Sequence, residues 1–166
     1  MAGIYIHIPF CKQACYYCDF HFSTNQEKLE EIVNGIGTEI RLQKDYLAGE
    51  VISTIYFGGG TPSLVSQKNL NSILQSIHEN FSVTPSPEIT LEANPDDLTF
   101  EKLRELKEIG INRLSIGIQS FDDVILKTLN RAHDSGMAEN CIHEAREAGF
   151  NNISIDLIYA LPGQGN

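Results

Sequence analysis

The sequence predicts an α/β protein whose parallel strands build a partial (β/α) barrel, and three observations carry that expectation. Short runs rich in Ile and Tyr alternate with longer segments of helical period. Successive strands are separated by helical crossovers, which return the chain in the same direction. The unusual residues fall just past the C-terminal ends of the strands, where barrels and open α/β sheets both place their sites. Pattern alone leaves barrel and open sheet undecided; the placement of these residues tips the reading toward a barrel-like sheet.

The first strand is "GIYIHI" (3–8), and a loop with three cysteines follows it. Leu29, Ile32, Val33, Ile36 and Ile40 then recur at helical spacing, so one face of that helix packs on the sheet. The second strand, "ISTIYF" (52–57), runs into "GGGT", and Leu70, Ile73, Leu74 and Ile77 mark the next helix, with Ser66 as its N-cap. "EITLE" (88–92) is the third strand, followed by a helix from Thr99 to Glu108 that ends at Gly110. The fourth strand is "NRLSIG" (112–117). A helix opening at Ser120, with Asp123 in capping-box spacing, comes next, and another approaches Gly149, a natural residue to follow a helix end. The fifth strand is "NISIDLIY" (152–159), and no helix covers it before the sequence ends at "LPGQGN". Residues 1–166 are therefore expected to form the N-terminal portion of one domain, without a linker and with a C-terminal part missing.

Composition narrows the function. Of 166 residues, 42% are hydrophobic and 20% charged, which suits a soluble globular protein. A net charge of −10 disfavours partners with phosphate backbones and anionic membranes. No apolar stretch is long enough to span a bilayer, and "MAGIYIHIPFC" lacks the features of a signal peptide. A cytoplasmic setting is expected, and there clustered cysteines serve metals or catalysis rather than disulfides.

The cluster is "CKQACYYC": Cys11, Cys15 and Cys18 in C-x3-C-x2-C spacing. Three thiolates on one loop suit a zinc ion with a distant fourth ligand, or an iron–sulfur cluster with one iron left without a protein ligand. No second C-x2-C pair completes an ordinary zinc site. Cys141 lies amid helical periodicity and reads as a core residue.

C-x3-C-x2-C with an aromatic before the third cysteine resembles the signature of the radical S-adenosylmethionine (radical SAM) enzymes. "YIHIPFC", "YFGGGTPS", "RLSIGIQSF", "LNRAH" and "ISIDLIYALPGQ" resemble the branch that holds oxygen-independent coproporphyrinogen III dehydrogenases and HemW-type heme chaperones. The resemblance implies a barrel of the radical SAM type. It implies that Cys11, Cys15 and Cys18 hold a [4Fe–4S] cluster whose free iron chelates S-adenosylmethionine. It further implies that Tyr5 and Tyr17 lie near that molecule, and that Gly59, Gly60 and Thr61 hold its amino group. Glu92, Gln119, Arg131 and Asp156 fall on the remaining contact positions. The side-chain types agree: carboxylates and an amide for an ammonium and ribose hydroxyls, and a guanidinium for a carboxylate. The implied chemistry is reductive cleavage of the sulfonium to a 5′-deoxyadenosyl radical, which requires an electron donor.

Two features separate the branches. The dehydrogenases carry a further cysteine two residues after the third ligand, where this chain has Phe20, and an N-terminal extension, whereas this sequence begins almost at the strand. Both point to the HemW-like branch, which implies heme and heme-acceptor proteins as partners, with the heme ligands expected outside these residues. The rivals are the dehydrogenase, a radical SAM RNA-modifying enzyme, which the acidic balance disfavours, and a zinc-stabilised binding module. Singly, "GGGT" reads as a turn, the tyrosines as core, Glu92 and Asp156 as ordinary strand-end carboxylates, and Gln119 and Arg131 as loop ties. His7, His21, His133 and Asp134 are assigned no chemical role.

Overall fold

A computed structural model describes residues 2–161. Strands β1 (Ala2–Ile8), β2 (Ile52–Gly59), β3 (Val83–Ala93), β4 (Arg113–Gln119) and β5 (Asn152–Leu157) lie side by side in chain order, all parallel. That order answers the question the pattern left open. A doubly wound sheet reverses its strand order at a switch point and carries helices on both faces. Crossovers of one hand between neighbours in unbroken order keep the helices on one face, which is barrel winding. The sheet is not closed, and β1 and β5 are its edges.

Five helices connect the strands: α1 (Leu29–Leu42), α2 (Gln67–Asn80), α3 (Phe100–Glu108), α4 (Asp123–Thr128) and α5 (Ser135–Glu147). Alternation along each strand sorts the residues by face. Ile6, Ile8, Ile55, Phe57, Leu91, Leu114, Ile116 and Ile118 are buried in one core with Val33, Leu70, Ile73, Leu103, Leu106 and Ala145 of the helices. Each large side chain buried this way contributes roughly 1.5–3 kcal/mol. The intervening residues share the other face, in hydrogen-bonded rows. Tyr5 pairs with Tyr56 and Tyr56 with Thr90; one step on, Glu92 pairs with Ser115; beyond them Gly117 pairs with Asp156. The polar face therefore brings the candidate residues of five strands together.

Element ends differ from expectation in several places: β2 and β4 run on to Gly59 and Gln119, two residues past the expected ends. β3 begins at Val83 rather than Glu88, because its register jumps from Ile52↔Val83 to Thr54↔Glu88, and a bulge absorbs the segment containing Pro85 and Pro87. β5 stops at Leu157 rather than Tyr159: its register with β4 shifts between Gly117 and Gln119, and Ile158 N makes the last rung, to the Gln119 carbonyl at 3.0 Å. The short helix α4 is capped by Asp122, whose carboxylate accepts from Val124 N (2.8 Å) and Ile125 N (3.1 Å). Ser120 instead accepts from Asp122 N, and Asp123 accepts from Ser135 N at 2.8 Å, so neither makes the expected capping box. Pro162 and the residues after it, which end the last quoted motif, lie outside the described residues.

Other ends agree with the sequence. Gly110 and Gly149 take positive φ after α3 and α5, and Cys141 is buried. Ser66 caps α2 by accepting from Asn69 N at 3.2 Å. Ser66→Ala is expected to lower stability by about 1 kcal/mol in urea unfolding. Ser66→Asp, which restores an acceptor, is expected to recover most of it.

Candidate functional site

The cysteine loop leaves β1 and closes on itself: Cys11 N donates to Ser23 O (3.0 Å) and Ser23 N to Pro9 O (2.9 Å). Within it, Cys18 N donates to Cys15 O at 3.1 Å, a turn that sets the second thiol near the third. All three thiols are half-buried and line one cavity of about 280 Å³ at the C-terminal ends of the strands. Tyr17, Gly59, Gly60, Thr61, Glu92, Gln119, Arg131 and Asp156 line the same cavity. A larger cavity, about 570 Å³ between β1 and α1, contains Tyr5 and His7 but no cysteine. The smaller one collects the reactive side chains, and that decides between them.

Of the cluster and S-adenosylmethionine residues that the resemblance implies, Tyr5 alone stays off the thiol cavity. Its ring stacks on Tyr56 at 5.9 Å, and its hydroxyl meets His7 Nδ1 at 3.2 Å. Tyr56 carries the link forward, donating to Glu92 Oε1 at 2.7 Å, while Gly59 N donates to Oε2 at 3.1 Å. Burial and the adjoining Glu92 carboxylate push the Tyr56 phenol up to about 12, so it stays a donor. Tyr56→Phe removes one of two bonds holding a half-buried carboxylate. It is expected to cost about 1.5 kcal/mol in urea unfolding, and an unchanged midpoint would show that Glu92 is held otherwise.

Gly59 and Gly60 also pack tightly against the protein itself. They admit neighbouring parts of the protein: a Cβ on Gly60 would lie 2.6 Å from the Phe10 carbonyl, and one on Gly59 2.7 Å from the His7 ring. Gly60 N and Thr61 N donate to Ile8 O (2.8 Å) and Phe10 O (2.7 Å), seating the base of the cysteine loop on this turn. Thr61 then donates its hydroxyl to Cys11 Sγ at 3.4 Å. Burial pushes the Cys11 thiol up, the Thr61 hydroxyl opposes it, and the neighbouring Cys18 and Cys15 add to the rise. Thiolates gathered on one loop repel one another until a bound cation relieves them.

"LNRAH" latches the loop. Leu129 O accepts from Tyr16 N (3.1 Å), Asn130 Nδ2 donates to Ala14 O (2.7 Å), and Gln13 donates to Asn130 O. Arg131 Nη1 points at Cys15 Sγ (3.4 Å) and the Tyr17 hydroxyl (3.2 Å), while Nη2 donates to Asn94 Oδ1 and Gly117 O, both at 2.7 Å. Burial, partly offset by Arg131, pushes the Tyr17 phenol up to about 12. From the opposite side Lys12 pairs with Asp96 at 2.7 Å and with Asp97, which accepts from Ser63 at 2.7 Å. Sequence reading missed Lys12, Gln13, Asn94 and Asn130. Asn130 stood inside a quoted motif, but nothing in its spacing announces a contact more than a hundred residues away.

Three half-buried thiols on one cavity, with Thr61 and Arg131 beside them, are donors of the kind an iron–sulfur cluster takes. Among the described residues no three His, Cys, Asp or Glu side chains converge closely enough to hold a single metal ion. A cluster takes one thiolate per iron and needs no such convergence.

Comparison with known proteins agrees with this chemistry. The chain is 40% identical to the heme chaperone HemW of Bacillus subtilis (strain 168), over 99% of its own length and 44% of that protein's. It is 33% identical to the oxygen-independent coproporphyrinogen III oxidase of Escherichia coli (strain K12), over 98% of its length and 36% of the relative's. The solved structure of coproporphyrinogen III oxidase (HemN) from Escherichia coli superposes with a TM-score of 0.89, covering 96% of this chain and 37% of that one. The chain thus spans less than half the length of these relatives. The model of the radical SAM superfamily matches residues 5–166, the stretch that holds the thiol loop and its latch. With cysteine spacing, barrel winding and family match in agreement, this chain belongs to the radical SAM superfamily.

Proposed function

We propose that this chain is the cluster-binding part of a HemW-like heme chaperone. Cys11, Cys15 and Cys18 hold a [4Fe–4S] cluster, and S-adenosylmethionine binds beside it against Gly59, Gly60, Thr61, Glu92, Gln119, Arg131 and Asp156. Tyr17 borders that place, and Tyr5 supports it from behind through Tyr56 and Glu92. The observation that carries the reading is the convergence of three half-buried thiols, Thr61 and Arg131 on one cavity. When bound, the two cofactors supply one-electron reductive chemistry, for which an electron donor is needed.

The chain's own residues bind, orient and shield. Arg131 sets a fixed positive charge beside the thiolates, and Thr61 donates to one of them. Glu92, held by Tyr56 and the Gly59 amide, presents a carboxylate suited to an ammonium or to hydroxyl groups. Heme and heme-acceptor proteins are the partners in this reading, in a cytoplasmic setting. Among the described residues no helix is long and apolar enough to cross a membrane.

Phe20, exposed beside the cavity where the dehydrogenases carry a further cysteine, favours the chaperone over the dehydrogenase. The 33% identity and the close superposition with coproporphyrinogen III oxidase keep oxidative decarboxylation as the second reading. Anaerobic turnover of coproporphyrinogen by the reconstituted full-length protein separates them. Stable heme binding and transfer without porphyrinogen oxidation is the expected result, and sustained formation of vinyl product would sink the chaperone reading.

A further inference from the structure

His133 lies outside the thiol cavity and is 4% exposed. Its Nε2 is 3.0 Å from the Ile118 carbonyl, which can only accept, so that nitrogen carries the proton. The same carbonyl accepts from Ser120 N at 2.8 Å, closing a three-residue turn around Gln119. Gln119 has φ of +67°, a conformation costly for a residue with a side chain, and a turn of this kind persists only where its surroundings fix it.

Here they fix it three times. Gly117 O accepts from Arg131, Ile118 O from His133, and Gln119 O from Ile158 N at 3.0 Å. Gly117 matters to the outcome, since a Cβ there would lie 3.0 Å from Gln119 Nε2. The turn thus aims the Gln119 amide over Gly117 toward the cavity. His133 also ends the segment whose Leu129, Asn130 and Arg131 hold the cysteine loop. One buried ring therefore ties the loop's latch to the end of β4. Burial, then the Arg131 charge, push its pKa down and keep it neutral.

We propose that His133 is a positioning residue: its Nε2–H bond to the Ile118 carbonyl locks the turn that points Gln119 at bound S-adenosylmethionine. The proposal rests on the assignment of Gln119 to that site.

The test uses the full-length protein, reconstituted anaerobically, with two readouts: the dissociation constant of S-adenosylmethionine, and the change it causes in the electron paramagnetic resonance spectrum of the reduced cluster. His133→Leu is expected to keep its iron, bind about tenfold more weakly and show a diminished spectral change, since one buried hydrogen bond is lost. His133→Gln, whose amide reaches the same carbonyl, is expected to stay within about threefold of wild type. In a Gln119→Ala background His133→Leu is expected to add less than about twofold, because the two act through one contact. Wild-type affinity in His133→Leu, equal loss in the Leu and Gln variants, or full additivity with Gln119→Ala would each overturn the proposal. If His133→Leu fails to fold, His133→Asn, too short to reach Ile118, takes its place beside His133→Gln. A wild-type protein that gives no response to S-adenosylmethionine would overturn the site assignment and this proposal together. A normal wild-type response with indifferent His133 variants would overturn this proposal alone.

Discussion

Cys15→Ser is expected to reduce the iron retained after anaerobic reconstitution to a small fraction of the wild-type amount, while shifting stability by less than about 0.5 kcal/mol. The two effects separate because Cys15 is half-buried at the rim of the sheet, where its thiol meets Arg131 Nη1 and the Tyr17 side chain. Serine keeps the size and a hydrogen-bonding atom but loses the thiolate that iron requires. The loop keeps its closure through Cys11, Ser23 and Pro9, and its latch through Tyr16 and Ala14. Iron analysis and thermal unfolding of the same preparation check both halves. Normal cluster content in the variant would contradict the ligand assignment.

Arg131→Leu is expected to damage the scaffold as well as the site. The guanidinium makes four contacts, and its loss leaves Asn94 Oδ1 and the Gly117 carbonyl without their short donors. A loss of about 3 kcal/mol in urea unfolding is expected. Cluster release to a chelator is expected to quicken, because the positive charge beside Cys15 is gone. Arg131→Lys restores charge but not the planar fork, so it is expected to slow cluster release while recovering less than half of the stability. Full recovery by lysine would show that charge alone, and not the bridge from Asn94 to Gly117, is what the position supplies.

Much of the fold was legible because local signals and global arrangement agree. Ile6, Ile8, Ile55 and Phe57 alternate with polar residues, and the helix residues from Val33 to Ile77 repeat at helical spacing; each pattern names its buried face without reference to the rest of the chain. The same holds for Ser66, Gly110 and Gly149 at helix ends. Elements were misplaced where a distant contact overrides a local one. Ser120 looks like a cap, but its amide closes the turn at Gln119, and the cap passes to Asp122. Tyr159 looks like strand, but pairing with β4 ends at Gln119, where the register shifts.

The site divides the same way. Cys11, Cys15 and Cys18 are legible as a group because all three stand on one short loop, and they line one cavity. Thr61, Glu92, Gln119, Arg131 and Asp156 came from resemblance; the sheet register brings Glu92, Gln119 and Asp156 to one cavity, and the segments after β2 and α4 bring Thr61 and Arg131. The supports are long-range: Lys12 with Asp96, Asn130 with Ala14, and Tyr56 with Glu92 span from a few dozen to more than a hundred residues. No periodicity encodes such pairs, and they appear only once the strands are in register.

In the proposed function, three thiols on one loop hold a cluster with one coordination position open to S-adenosylmethionine. Anaerobic reconstitution with iron and sulfide, followed by electron paramagnetic resonance of the reduced protein with and without S-adenosylmethionine, tests it most directly. The expected result is about four iron atoms per chain and a spectrum that changes when S-adenosylmethionine is added. Stoichiometric zinc with no cluster absorption, or a cluster whose spectrum is indifferent to S-adenosylmethionine, would contradict it.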